Sequence, residues 1–310
     1  MKGYVGITDY GWYQNLSAMP GINEVNFWRP GGKTRFRALE RGGMFLFKLR
    51  SPRDAIVGGG FFAHFTILPC SLAWDAFEEK NGVSSFAQFR KKIADLKHVE
   101  PSLDDYVIGC ILLEEPFFFS ESDWFTLPSW KPNIVSGMAI DFDTPDGRKV
   151  WHNVQERLSR LRPVRPLFTT GVSAPSAARY GEPVLVSPRL GQGSFRIMVT
   201  DAYGRRCAVS GERTLPVLEA AHIKPYSGEG THDIRNGLLL RSDLHTLYDR
   251  GYLTVTPDYR LEVSRRIKEE FQNGREYYAL EGKQITVPKL EAERPRTDLL
   301  EWHATEVFRR

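Results

Sequence analysis

The chain has 310 residues, 41% hydrophobic and 26% charged, which is a globular composition and excludes wholesale disorder. A formal net charge of +4 permits a polyanionic partner without requiring one. No apolar run approaches the roughly 18 residues of a membrane span, which predicts no membrane partner. The opening MKGYVGITDYGWYQ has no basic segment followed by an apolar core, so no secretory signal is expected. Cys70, Cys110 and Cys207 stand far apart with no CxxC pair. That excludes a disulfide scaffold or four-cysteine zinc ribbon and points to a reducing, cytoplasmic setting.

Aromatic residues crowd the first 150 positions. Phe45–Leu49 and Ala55–Val57 are short, β-prone and bounded by Gly or Pro, and read as strands of a small sheet or barrel. The triplet Gly58–Gly60 suggests a bulge or a close backbone approach. Helices are predicted over Leu72–Lys80 and Ser84–Leu96, where Phe86, Phe89, Ile93 and Leu96 recur at three or four residues. Tyr106–Leu113 is continuously apolar and reads as a strand buried on both faces. Gln155–Arg165 carries Arg157, Arg160, Arg162 and Arg165, and Thr169–Pro188 is rich in Ser, Ala, Gly and Pro. This is a connector in character, its arginines serving solubility or DNA-backbone contact.

Beyond it, Ser194–Tyr203 is a short helix with Phe195, Met198 and Val199 on one face and Gly204 at its stop. Next come a β-prone stretch (Thr214–Ile223), a polar loop containing His232, a strand (Gly237–Leu240) and a helix from Ser242. There is no internal repeat. The informative residues are His222, Asn236 fourteen positions on, and His245 nine further. A strand ending in His, a strand opening with Asn-Gly and a helix bearing His form a compact ββα unit that can gather three polar side chains in one cleft.

This spacing resembles the HNH nuclease family, whose catalytic core is the ββα-metal fold, over Phe195 to Gly251. The resemblance implies metal-dependent cleavage of nucleic-acid phosphodiesters, with His222 as general base, Asn236 orienting it and His245 a metal ligand. The residue types suit that chemistry. A neutral imidazole near pH 7 can take a proton from water, and a cation offsets charge growing on phosphorus and the departing oxygen. A hard divalent ion is expected, Mg2+ first, with Mn2+ or another transition metal as alternatives. Many HNH sequences carry Asp or His directly before the base. Here that position is Ala221, and the second ligand is assigned to Glu219, whose longer side chain can reach from the same strand. Asp249 is assigned to capping or bracing the helix, with a metal role as the alternative, His303 to packing and Cys207 to structure, while Arg241 is a candidate for the DNA backbone.

The strand pair Gly43–Leu49 and Ile56–Phe62 resembles the PUA superfamily, small β-barrels that include EVE, ASCH and SRA-type domains. That resemblance implies binding of a modified, flipped-out base, which stacking between aromatic faces can stabilise. Trp12, Tyr13, Phe27, Trp28 and Trp74 are candidate walls, Asp9 a candidate acceptor for a cytosine amine, and Lys33, Arg35 and Arg37 candidate phosphate contacts. The expected fold is α+β, an N-terminal PUA-like β-barrel with helices and a C-terminal ββα-metal HNH domain. Its divisions are a reader over 1–152, a linker over 153–190 and a nuclease over 191–310. The expected activity is a modification-dependent DNA endonuclease acting on double-stranded DNA with modified cytosine, as a homodimer because each ββα unit nicks one strand. The alternatives are an HNH endonuclease reading an unmodified sequence and a nucleic-acid-binding protein with an inactive nuclease domain.

Overall fold

The computed structural model describes residues 1–32, 34–100, 104–127, 130–131, 133–134, 136–161, 191–225 and 233–310. The chain begins with β1 (Lys2–Thr8), α1 (Tyr10–Ser17), β2 (Glu24–Arg29), β3 (Met44–Leu49) and β4 (Ala55–Pro69). It continues through α2 (Cys70–Phe77), α3 (Phe86–Lys97), β5 (Val107–Phe118), β6 (Phe125–Thr126), β7 (Gly137–Asp141) and α4 (Pro145–Leu161). The strands form one sheet in the order β2-β5-β4-β3-β1-β7, with β6 paired to the start of β4. β1 and β3 run parallel and the other pairs antiparallel. The expected strand pair is present, with Met44 opposite Phe61 and Phe47 opposite Gly58.

Alternation along the strands sends side chains into different cores on the two faces. Phe45 and Phe47, with Ile111 and Leu113, join Trp12, Tyr13 and Leu16 of α1 in an aromatic cluster. Cys110 and Leu112 point the other way, onto Phe77 of α2 and Phe89 and Ile93 of α3. Met44 and Leu46 meet Val150 and Val154 of α4. This layout corrects the expectation of a barrel. Among the described residues the sheet is open, ending at β2 and β7, because helices cover both faces and closure is not needed to bury them. The glycine triplet serves a close approach, since a Cβ on Gly58 would lie 2.2 Å from the Phe117 carbonyl oxygen. The pairing of β4 with β5 shifts register between Gly59 and Phe61.

Two helix expectations are met with shifted ends. The first helix begins at Cys70 and passes after Phe77 into a 3-10 turn over Glu78–Asn81. α3 is capped by Ser85, whose hydroxyl accepts from the Gln88 amide. α4 crosses residue 153, where the connector was expected to begin, and residues 162–190 lie outside the described residues.

The chain resumes with α5 (Gln192–Ala202), β8 (Leu218–His222), β9 (Gly237–Arg241) and α6 (Ser242–Asp249). It closes with β10 (Leu253–Val255), β11 (Leu261–Val263), α7 (Arg266–Phe271), α8 (Arg275–Tyr278) and α9 (Thr297–Glu306). A second core gathers Phe195, Val199, Leu218, Ala221, Leu239, Leu244, Tyr248 and Leu300. α5 stands where the two parts of the molecule meet. Its Ile197 belongs to the N-terminal core, while Phe195, Met198 and Val199 belong to the C-terminal one.

Candidate active site

β8 and β9 pair antiparallel with His222 opposite Gly237 and Leu218 opposite Arg241, and α6 follows β9 directly. The Leu238–Leu240 run and Ala221 are fully buried, so β9 is covered on both of its faces. Cys207 braces the turn that precedes the hairpin. Its Sγ accepts from the amides of Ser210 and Arg241, each at 3.4 Å, which is a structural role.

Three of the sequence candidates open onto one cleft of about 600 Å3, whose lining includes Phe195, Glu219, His222, His245 and Asp249. His245, on α6, faces a carboxylate on either side. Its Nδ1 lies 2.6 Å from Glu219 Oε2 and its Nε2 3.2 Å from Asp249 Oδ2. Burial opposes charge on this imidazole, yet the hydrogen bonds to Asp249 and Glu219 prevail and raise its pKa above the ordinary value. Ala221 faces the core, so the carboxylate comes from Glu219, two residues earlier.

Asn236 is fully buried and acts on backbone. Its Oδ1 accepts from the Lys224 amide and its Nδ2 donates to the Lys224 carbonyl, both at 2.9 Å. Its own carbonyl accepts from the Ile223 amide at 2.9 Å. These three bonds pin the two residues that follow His222. The His222 ring stacks on Phe195, with centroids 4.0 Å apart and planes at 10°.

The donor chemistry of Glu219, His245 and Asp249 fits a divalent cation: one imidazole and two carboxylates half open to the cleft, with room for water. In this structure His245 bridges the two carboxylates, one at each ring nitrogen. Among the described residues no group of three His, Cys, Asp or Glu side chains is arranged to enclose an ion.

The other candidates fare differently. The six proposed for a base pocket do not converge. Trp12, Tyr13 and Phe27 are buried on one face of the sheet, whereas Trp28 and Trp74 pack on the opposite face beside Phe89. Phe27 and Trp28 are consecutive in β2, so strand alternation alone separates them. Asp9 caps α1, accepting from the Trp12 amide at 3.0 Å, and pairs with Lys92 at 2.8 Å. Arg35 and Arg37 are exposed between β2 and β3, and Lys33 lies outside the described residues. Arg241 grips Asp243 through two hydrogen bonds of 2.6 and 2.8 Å, so its guanidinium is engaged within the protein. His303 is buried as expected, its ring stacked 3.8 Å from Tyr248. His232 lies outside the described residues.

One contributor was ranked too low in the sequence reading and another escaped it. Asp249 was assigned first to the helix, with a metal role second, although its position four residues after His245 places both on one helical face. Phe195 read as core because no motif marks a ring that packs against a histidine.

Residues 207–256, which contain the ββα unit, match the family described as HNH endonuclease. No curated protein matches the sequence. Among solved structures, the chain is similar to ASCH from Zymomonas mobilis at 9% identity, covering 48% of this chain and 94% of that one, with a TM-score of 0.32. It is also similar to a modification-dependent restriction endonuclease, TagI, at 13% identity, covering 96% of this chain and 79% of that one, with a TM-score of 0.29. Scores this low carry no weight for the fold or function of this chain.

Proposed function

We propose that the protein is a metal-dependent DNA endonuclease that acts on double-stranded DNA carrying modified cytosine. The observation that carries the nuclease reading is the match of residues 207–256 to the HNH family over a hairpin-helix unit whose His222 and Glu219–His245–Asp249 group share one cleft. In this reading His222 takes a proton from water as the oxygen attacks phosphorus in line. The new P–O bond forms as the bond to the departing sugar oxygen breaks, and that oxygen leaves with a proton from solvent. His245 and Glu219, with Asp249, would hold a divalent cation, Mg2+ first, and Asn236 keeps the strand end carrying His222 in place. When bound, the cation offsets negative charge on the phosphoryl group and leaving oxygen. Ala221 faces the core, which favours an active domain over an inactive one: the ligand missing at that position has a substitute in Glu219.

Modified cytosine as the target rests on the sequence resemblance of the β3–β4 pair to the PUA superfamily, with residues 1–152 as reader, 153–190 as linker and 191–310 as nuclease. One active centre per chain nicks one strand, so double-strand cleavage is assigned to a homodimer. The test is a set of plasmids with plain, 5-methyl- or 5-hydroxymethylcytosine, incubated with Mg2+, with Mn2+ and with chelator. Cleavage confined to modified plasmids and abolished by chelator is expected. Equal cutting of plain DNA would leave the nuclease standing and overturn the reader.

A further inference from the structure

α5 is fastened to the N-terminal sheet at both ends. At its start, the fully buried Glu24 of β2 accepts from the amides of Gly193 (2.9 Å) and Ser194 (2.8 Å) and pairs with Lys80 (2.9 Å). The approach is close enough that a Cβ on Gly193 would lie 2.3 Å from the Ala76 carbonyl oxygen. At its end, Asp201 pairs with His64 of β4 at 2.9 Å and with Arg205 at 3.1 Å. Arg205 in turn donates to the Ile67 carbonyl at 2.8 Å and the Thr66 hydroxyl at 3.1 Å. Burial favours a neutral Asp201, but the bonds from His64 and Thr66 and the charge of Arg205 outweigh it and hold the carboxyl below its usual range.

Between these fastenings α5 presents Phe195 to the cleft. Its ring is 1% exposed and lies flat on the imidazole of His222. The far edge of the ring lies close to β9, where a Cβ on Gly237 would stand only 3.0 Å from Phe195 Cζ. A flat ring rooted on a fastened helix, with its edge beside β9, offers the plane against which the imidazole lies. Stacking engages a face of the imidazole, whereas proton transfer runs through its ring-edge nitrogens.

We infer that Phe195 is a positioning residue for His222, and that α5 makes the N-terminal sheet the support that sets the plane of the general base. This rests on the proposed role of His222. A base displaced by about 1 Å loses on the order of 100-fold in rate while substrate binding, made elsewhere, persists. Phe195→Leu keeps the apolar volume and removes the flat face, so kcat for plasmid nicking falls at least about tenfold with KM within about twofold.

Chemical rescue separates positioning from general support of the fold. In His222→Gly, nicking is lost and added imidazole restores it by occupying the vacated place on Phe195. In His222→Gly/Phe195→Leu, half-restoration needs about tenfold more imidazole, because the seat of the ring is gone. Equal half-restoration in the two proteins, or rescue of neither, overturns the role of Phe195. Undiminished nicking by His222→Gly without imidazole instead overturns His222 as base, a failure of the underlying reading that is distinguishable from the first. Should the leucine variant not fold, Phe195→Met carries the same comparison.

Discussion

Asn236 binds the backbone of Lys224 through both ends of its amide, donating one hydrogen bond and accepting one. Asn236→Ala leaves a largely buried amide and carbonyl without those partners, which costs about 1–3 kcal/mol. Urea denaturation measures that loss, and nicking should fall with it because the strand end carrying His222 loosens. Two buried titratable groups bear on pH instead. Glu114 is 1% exposed, with no hydrogen-bond partner for either carboxylate oxygen. Burial pushes it up to about 7, against the pull of Arg41. The native state therefore binds that proton more tightly than the unfolded chain. Its contribution is fully present below about 4.5 and is lost as pH rises through about 7. Glu114→Gln should unfold at a higher temperature than the parent at pH 8, by up to roughly 3 kcal/mol of stability, with the gap gone by pH 4. His303 works in the opposite sense. Burial lowers its pKa to about 4 from an ordinary 6.5, so stability falls as pH drops through that window. The two slopes oppose each other in the parent, and Glu114→Gln should expose the His303 slope as stability that rises steadily from pH 4 to 6.5.

At the scale of elements, the hairpin and α6 were legible because their determinants are local. The buried Leu238–Leu240 run, the Asn-Gly that opens β9 and the His on the following helix lie within a few dozen residues of one another. α5 was legible as a helix with an apolar face, but not as a joint, because its cap comes from Glu24, 169 positions before Gly193. Glu24→Ala should destabilise the protein by about 2 kcal/mol, since two buried amides lose a charged acceptor. Glu156→Ala on the exposed side of α4 should cost under about 1 kcal/mol. Denaturant midpoints of the two variants check that ordering. The helical reach of α4 was hidden by its arginines, which read as a solvated connector. Arg160 in fact pairs with Asp123 at 3.0 Å, and Arg157 donates to Asn153 on the preceding turn at 2.9 Å. Val150 and Val154 carry the helix onto the sheet.

Among the described residues, an open mixed sheet with both faces covered supports the small hairpin-helix unit through one shared helix. Composition could not distinguish this sheet from a closed barrel, since both bury alternating aromatic residues. The difference lies in which helices cover the outer face, and that depends on contacts between distant segments. The polar cleft was more legible than the aromatic pocket for a related reason. His222, His245 and Glu219 are costly to hold near a core without a purpose, whereas Trp12 and Phe27 are favourable there with none. The central claim is that His222 serves Mg2+-dependent strand scission in that cleft. Its most direct measurement is nicking of a supercoiled, cytosine-modified plasmid by His222→Ala and by the parent chain, with DNA affinity measured alongside in chelator. Loss of nicking by at least about 100-fold with affinity kept within about twofold is the predicted result. A His222→Ala protein that nicks at the parent rate would contradict it.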